Sequence, residues 1–292
     1  MIISHLIGGL GNQMFQYAAG RALSIARGQA LKLDISSFDN YHLHHGFELQ
    51  RVFDCPIEVA VKTDIHRILG WQSYSLIRRI VSRPGWAMLR IKEFVIEPHI
   101  HFWVGINNVP SECYLMGYWQ TENYFLLEAE RIRKDFSFRQ PMDDRNVGLA
   151  DQINHVNAVS VHVRRGDYIS NPKFNAAHGV CTLNYYLASI RYIAERIQRP
   201  HFFIFSDDIE WVKLNLKIDF PHQYVDHNHG VESYNDMRLM SLCKHNIIAN
   251  SSFSWWGAWL NASNDKIVVA PSQWFINQKN TQDILPRDWI VL

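Results

Sequence analysis

The chain has 292 residues, a length that suits two domains at about 150 residues each. Its 47% hydrophobic and 20% charged residues exclude a fibrous or disordered protein. With 29 Lys and Arg against 28 Asp and Glu, the formal charge is +1, which argues against a nucleic-acid backbone as the main partner.

Four cysteines, Cys55, Cys113, Cys181 and Cys243, stand far apart with no C-x-x-C and no metal-ligand spacing. They read as thiols of a reducing compartment. No apolar run approaches the ~18 residues of a membrane span. Met1 to Tyr17 has no basic n-region, and Gly8, Gly9 and Gly11 interrupt it, so it does not read as a signal peptide. The expectation is a cytoplasmic protein, at most peripheral to the inner membrane.

Ile2 to Ile7 reads as a strand, Gly8 to Gln13 as a glycine-rich turn, and Met14 to Arg27 as a helix that Gly28 stops. Ala30 to Asp34 is a second strand with an acidic end. The middle of the chain has weak periodicity. Ser73 to Ile80 and Ala87 to Phe94 read as pieces of helix and Tyr114 to Trp119 as a strand. Thr121 to Phe136 reads as one capped, charged helix. Around Arg139 to Asp144 the composition turns polar, like a linker.

Beyond it the pattern alternates. Ala158–Val163, His201–Ser206, Gln223–Asp226, Asn246–Ala249 and Lys266–Ala270 read as strands. Asn184–Gln198, Ile209–Leu216, Ser233–Lys244 and Ser252–Asn261 read as helices. Such alternation predicts an α/β fold with parallel sheets covered on both faces. The domains expected are 1–142 and 143–292.

Ligands of open α/β sheets bind beyond the carboxyl ends of the strands, and four segments fall there. Gly8-Gly9-Leu10-Gly11-Asn12-Gln13 lets backbone N–H groups approach a ligand at a helix start, or is a structural turn. Met14 stands where a dinucleotide fingerprint wants a third small residue, yet Asp34 imitates its ribose-binding acid. His162-Val163-Arg164-Arg165-Gly166-Asp167 brings two arginines to a strand end, fit for phosphate oxygens or for a surface ion pair. Asp207 and Asp208 can take a nucleoside edge or cap the next helix. Asn250-Ser251-Ser252-Phe253-Ser254 offers hydroxyls and N–H groups at a helix start, for a phosphate or for capping. Trp255, Trp256 and Trp259 read as packing. The histidine-rich stretch Tyr41 to Gly46 lacks acidic or cysteine partners and reads as a solvated loop. No metal is expected, because no spaced D-x-D occurs.

In order and spacing these four segments resemble the motifs of the α-1,2-fucosyltransferases, glycosyltransferase family 11 of bacterial type. Gly8 to Ala18 is similar to their N-terminal motif. His162 to Tyr168 is similar to the H-x-R-R-x-D motif shared with α-1,6- and protein O-fucosyltransferases, and Ser206 to Asp208 and Asn250 to Trp256 to the two later ones. The resemblance implies the GT-B fold, two Rossmann-like domains facing across a cleft, with GDP-sugar on the C-terminal domain and acceptor on the N-terminal one. It implies inverting transfer of L-fucose from GDP-β-L-fucose to a galactose 2-hydroxyl, without cofactor or metal, in bacterial surface polysaccharide or O-antigen synthesis. The acceptor would be a galactose-containing oligosaccharide or lipid-linked glycan. Arg164, His162 and Asp167 would be catalytic. Gly11, Asn12, Gln13, Arg165, Asp207, Asp208, Asn250, Ser251, Ser252 and Ser254 would bind the donor. The competing readings are an NAD-dependent oxidoreductase and a non-catalytic sugar-binding protein.

Overall fold

The apolar run after Met1 forms β1 (Ile2–His5), with all four residues buried. It lies inside a parallel sheet of order β2-β1-β4-β3, with β2 (Leu31–Asp34), β3 (Phe94–Ile96) and β4 (Cys113–Met116). This computed structural model describes residues 1–39, 45–166, 179–276 and 283–292. Tyr41 to His44 of the histidine-rich stretch, and Asp167 and Tyr168, lie outside the described residues. The chain divides into two units: Met1–Arg139 with Asp283 and Ile284, and Gln140–Ile276 with Leu285–Leu292.

In the first unit, α1 (Leu10–Arg27) begins four residues before the expected Met14. Leu10 and Met14 are both buried, so burial draws Leu10 into the helix and the turn shrinks to the residues around Gly8 and Gly9. Gly8 needs its glycine: its φ is +82°, and a Cβ there would lie 2.6 Å from the Asn12 amide nitrogen. Gly28 ends α1 in the left-handed conformation, as the sequence predicts.

After α2 (Leu49–Val52), the helices α3 (Lys62–Leu69) and α4 (Ser75–Val81) press Ile65, Ile68, Leu69 and Val81 against Phe94 and Tyr114. The helix expected over Ala87–Phe94 is absent. A 3-10 turn, Pro84–Leu89, takes part of it and β3 takes its end. The buried Gln72 amide binds the Leu89 carbonyl and the Ile91 N–H, which ties the chain down where a helix would have continued.

The single helix expected over Thr121–Phe136 is also broken. Thr121 does cap, but only a 3-10 turn at Glu122–Tyr124; α5 (Ala129–Asp135) starts later. Tyr124 and Phe125 are consecutive and both buried. The backbone leaves helical geometry at Phe125, where φ is −137° and ψ is 9°.

The second unit opens with α6 (Asp144–His155), which weak periodicity concealed; Asp143 caps it by accepting from the Asn146 N–H at 2.8 Å. Then come β5 (Asn157–Val163), α7 (Leu183–Ala194), β6 (Pro200–Ser206), α8 (Ile209–Asn215), β7 (His222–Val225), α9 (Tyr234–Leu242), β8 (His245–Ile247), α10 (Ser252–Leu260), β9 (Val268–Ala270) and β10 (Ile290–Val291). The strands form one parallel sheet of order β10-β9-β8-β5-β6-β7. Val159, Val161, Val163, Phe202, Ile204, Ile247 and Val269 pack against Tyr186, Ile190 and Ile193 of α7. The buried apolar residues of consecutive strand positions such as Phe202 to Phe205 are what a sheet covered on both faces requires.

A polar cluster joins α6 to α9. The Asn146 and Asn228 amides bond each other at 2.9 and 3.0 Å, and the Asn228 amide donates to Asp236 at 2.8 Å. Burial pushes the Asp236 carboxyl up to about 7, against the opposing hydrogen bond from Asn228. Between the ordinary aspartate value of 3.8 and about 7, the folded chain keeps this proton and the unfolded chain releases it. Stability contributed by this group therefore falls as pH rises through that window, at about 1.4 kcal/mol per pH unit for one proton. Asp236→Asn is expected to flatten the window and to be relatively more stable at alkaline pH. Urea unfolding of both proteins at acidic and alkaline pH reads this directly; parallel curves would contradict it.

Candidate active site

The order β10-β9-β8-β5-β6-β7 reverses direction beside β5, the first strand of its sheet, with β6 on one side and β8 on the other. Such a switch point opens a crevice at the carboxyl ends of the strands. Arg164 and Arg165 follow β5, Asp207 and Asp208 follow β6, and Asn250 to Ser252 follow β8. The pairing of Val163 with Ser206 puts Arg164 beside Asp207.

Arg164 makes an ion pair with Asp207 at 3.0 Å. The other carboxylate oxygen of Asp207 accepts from the Arg165 N–H at 2.9 Å. Gly166 makes room for this: a Cβ there would lie 2.9 Å from the Asp207 carboxylate. Arg165 lies 3.5 Å from Asp208, and its guanidinium stacks over Trp211 at 3.4 Å from the ring centroid. Asp208 also caps α8, accepting from the Trp211 N–H at 3.4 Å. The two acids thus divide the work that the sequence left open. Asp207 orients the Arg164 guanidinium and the Arg165 backbone, and Asp208 caps α8 while facing the Arg165 guanidinium. Trp211 was not foreseen, because one tryptophan in an amphipathic helix carries no sign of a partner 46 residues away.

His162 is buried on β5, with its ring centroid 5.8 Å from that of Phe253. Burial lowers its pKa to about 4; Asp207 opposes that shift and Arg164 reinforces it. The imidazole is therefore neutral near pH 7, and its Nδ1 has no hydrogen-bond partner among the described residues.

At the end of β8, Ser251 occupies the N-cap of α10 in extended geometry, but its hydroxyl makes no capping bond. The helix start thus keeps N–H groups that the Ser251 side chain does not satisfy, a favourable place for an anion. Asn250 is turned inward: its amide donates to the Gly179 and Trp274 carbonyls at 3.3 Å and faces the Cys181 thiol at 3.4 Å. Ser254 is buried too, its hydroxyl directed at the Ala249 and Ser251 carbonyls at 3.4 and 3.3 Å. Ser252 is half-exposed at the first helical position. Trp255, Trp256 and Trp259 are buried, as packing demands.

The glycine-rich turn belongs to the first unit. Gly11, Asn12 and Gln13 stand in the first turn of α1. The Gln13 amide donates to the carbonyls of Gly8 at 2.9 Å and Gly46 at 2.8 Å and accepts from the Glu48 N–H at 2.9 Å, so it braces the turn from inside. Asn12 accepts from the Gln120 amide at 2.7 Å. Asp34, the imitation of a ribose-binding acid, is buried in an ion pair with Arg78 at 2.9 Å and a hydrogen bond from Tyr114 at 2.5 Å. Its carboxylate is already engaged, which removes the main support for a dinucleotide site.

Glu97, just past β3, escaped the sequence reading altogether. Its carboxylate accepts from the N–H groups of Tyr118 at 2.7 Å and Trp119 at 3.0 Å. Burial raises its pKa, and the same N–H groups oppose the rise. Trp119 has a φ of +55°, a strained conformation for a buried tryptophan, and Glu97 holds it there. Nothing in the local sequence announces this pair. Burial also raises Cys181 to about 11, which keeps that thiol protonated.

The chain is 40% identical to an α-1,2-colitosyltransferase of Escherichia coli, over 99% of this chain and 98% of that protein. It is 35% identical to the O-antigen biosynthesis glycosyltransferase WbnK of Escherichia coli, over 99% of each. Among solved structures it is similar to the α-1,6-fucosyltransferase NodZ co-crystallised with GDP, with TM-score 0.56 at 14% identity, covering 88% of this chain and 90% of that one. That likeness is one of fold and places the chain in the GT-B class, as the motifs implied. The model of glycosyl transferase family 11 matches residues 71–292. The chain therefore belongs to glycosyltransferase family 11 and is a glycosyltransferase.

Proposed function

We propose that this glycosyltransferase moves a 6-deoxy-L-sugar from its GDP-β-linked donor to the 2-hydroxyl of a galactose residue, with inversion, in O-antigen or other surface-polysaccharide synthesis. One observation carries the reading: a pair of arginines fixed by aspartates at the switch point of the sheet, at the end of the strand beside the one that leads into α10. Loss of GDP builds negative charge on the leaving diphosphate. Preorganised guanidinium groups and helix N–H groups stabilise that charge without reorganising.

In this reading Arg164 meets the leaving diphosphate directly, and Arg165 binds the donor beside it. Ser251 and Ser252 present the helix start to a phosphate. Asp207 and Asp208 hold the cations, while Asn250, Ser254, Gly11, Asn12 and Gln13 shape the two turns. The acceptor hydroxyl must lose a proton. The candidates for that one base are His162, which burial keeps neutral, and Asp167, which follows the arginine pair in sequence. The first unit, motif-poor in its middle, takes the acceptor.

The sugar is L-fucose by motif, while the relative at 40% identity is named for colitose. The two differ by the 3-hydroxyl that colitose lacks. A site that hydrogen-bonds that hydroxyl rejects colitose strongly; an apolar wall there discriminates weakly. The test is a panel of GDP-fucose, GDP-colitose, GDP-mannose and NAD against a set of galactosides, with product linkage read by NMR. Transfer from a GDP-6-deoxy-L-sugar to a galactose 2-hydroxyl is the expected result. Binding of the donor without transfer or hydrolysis would leave a sugar-binding protein, and NAD binding an oxidoreductase.

In this reading the arginine pair carries the diphosphate charge and no metal takes part. Activity is expected to be unchanged in excess EDTA. A loss restored by Mn²⁺ would show that the diphosphate charge is carried by a metal and not by Arg164.

A further inference from the structure

The first unit carries an apolar, basic stretch to which the reaction proposed above assigns no residue. Between Trp71 and Leu89, seven large apolar side chains are exposed: Trp71, Tyr74, Leu76, Ile80, Trp86, Met88 and Leu89. Leu76 is 73% exposed and Met88 99%. Single exposed apolar residues are ordinary, but a cluster in so short a stretch marks an interaction surface.

The segment is not loose chain. Val81 of α4 is buried in the core with Ile65, Ile68, Leu69 and Phe94, and Ile77 packs against it. The Gln72 amide fastens the Leu89 carbonyl, and Arg90 fastens the carbonyls of Val81 and Ser82. One side of α4 is thus spent inward. Leu76 and Ile80, one turn apart, lie on the same apolar stripe as Ile77 and Val81 but at its outer edge, so part of the stripe of α4 stays exposed to solvent.

The charge of this stretch has one sign. Residues 70–91 contain Arg78, Arg79, Arg83 and Arg90 and no acid, and Lys92 beyond them pairs with Glu93 at 3.9 Å, in a chain whose formal charge is only +1. Arg78 is turned inward to Asp34. Arg79 and Arg83 are exposed and make no ion pair among the described residues. No helix among the described residues is long and apolar enough to cross a membrane.

We propose that this face docks the protein on an anionic lipid bilayer, with Trp86, Met88 and Leu76 entering the headgroup boundary and Arg79 and Arg83 meeting lipid phosphates. Tryptophan, tyrosine and leucine beside arginine, without acids, are the chemistry of an interfacial segment. A second copy of the chain fits poorly. A two-fold contact sets the same patch against itself, which would oppose unpaired arginines across the interface with no acid to receive them.

The test uses the full chain in vesicle co-sedimentation. Vesicles are phosphatidylcholine alone, or phosphatidylcholine with phosphatidylglycerol. Wild type is expected to pellet with the anionic vesicles, less so at high salt. Removing both charges in Arg79→Gln/Arg83→Gln should weaken partitioning about fivefold per arginine. Trp86→Ser/Met88→Ser should weaken it about tenfold or more, since apolar insertion supplies the rest. Thermal melting of each variant checks the fold, and these exposed side chains should leave it unchanged. Wild type remaining in the supernatant with anionic vesicles overturns the proposal, as does binding that neither pair of substitutions reduces. Self-association in the ultracentrifuge that the same substitutions abolish, without vesicle binding, assigns the face to a second copy and also overturns it.

Discussion

Arg164→Ala is expected to lower kcat/KM for transfer by more than ~10²-fold. The scale comes from single preorganised donors to developing charge, each worth about 3 kcal/mol. Asp207 holds Arg164 at 3.0 Å. With the guanidinium gone, that carboxylate stands without its cation close to where a diphosphate would bind, so repulsion adds to the lost attraction. Arg164→Lys should restore little. A lysine ammonium is a point charge and cannot present the planar fork that grips a phosphate through two parallel N–H groups. The measurement is kcat/KM for donor with melting temperature as the control for folding. A lysine variant of near wild-type activity would show that Arg164 supplies only charge, and an alanine variant of near wild-type activity would remove it from the reaction.

What was legible in the sequence was whatever rests on neighbours. β5 is a buried, mostly apolar run that ends at two arginines, and its pattern alone placed those arginines at a strand end. The same holds for Asp207, Asp208 and the start of α10. What remained hidden depends on partners distant in sequence. Asp34 imitates a ribose-binding acid only until Arg78 and Tyr114, 44 and 80 residues away, engage it. Local rules let either acid cap the next helix, and the β5–β6 register sets Asp207 beside Arg164 while Asp208 accepts from the Trp211 N–H. The breaks at Phe125 and Leu89 arise because Tyr124 with Phe125 and Gln72 are buried by tertiary packing, which outweighs helix propensity. Glu97 with the strained Trp119 was invisible for the same reason.

Trp256→Ala is expected to cost the most stability of any single change near the site, about 3–5 kcal/mol. Trp255 and Trp256 are fully buried, with ring centroids 4.9 Å apart, and Trp259 lies 5.2 Å from Trp256. Gly257 lets α10 approach α9 so closely that a Cβ there would meet Met240 at 3.1 Å. A cavity in this cluster cannot refill without moving α10, whose first residue follows the N-cap Ser251 at the end of β8. For a unit of this size the loss should lower the melting temperature by roughly 10 °C. Trp256→Phe, which keeps most of the volume, should lose less. Ser251→Ala is the informative contrast. A capping serine is worth about 1 kcal/mol, but the Ser251 hydroxyl makes no capping bond. Its removal should therefore leave stability within a few tenths of a kcal/mol while weakening GDP binding, if the helix start receives a phosphate. Urea unfolding and GDP calorimetry on the three variants separate these effects. A Trp256→Ala protein as stable as wild type would show that the cluster is not a seat for α10. A Ser251→Ala protein that loses stability but not GDP affinity would make that serine a structural residue and leave the cradle to the arginines.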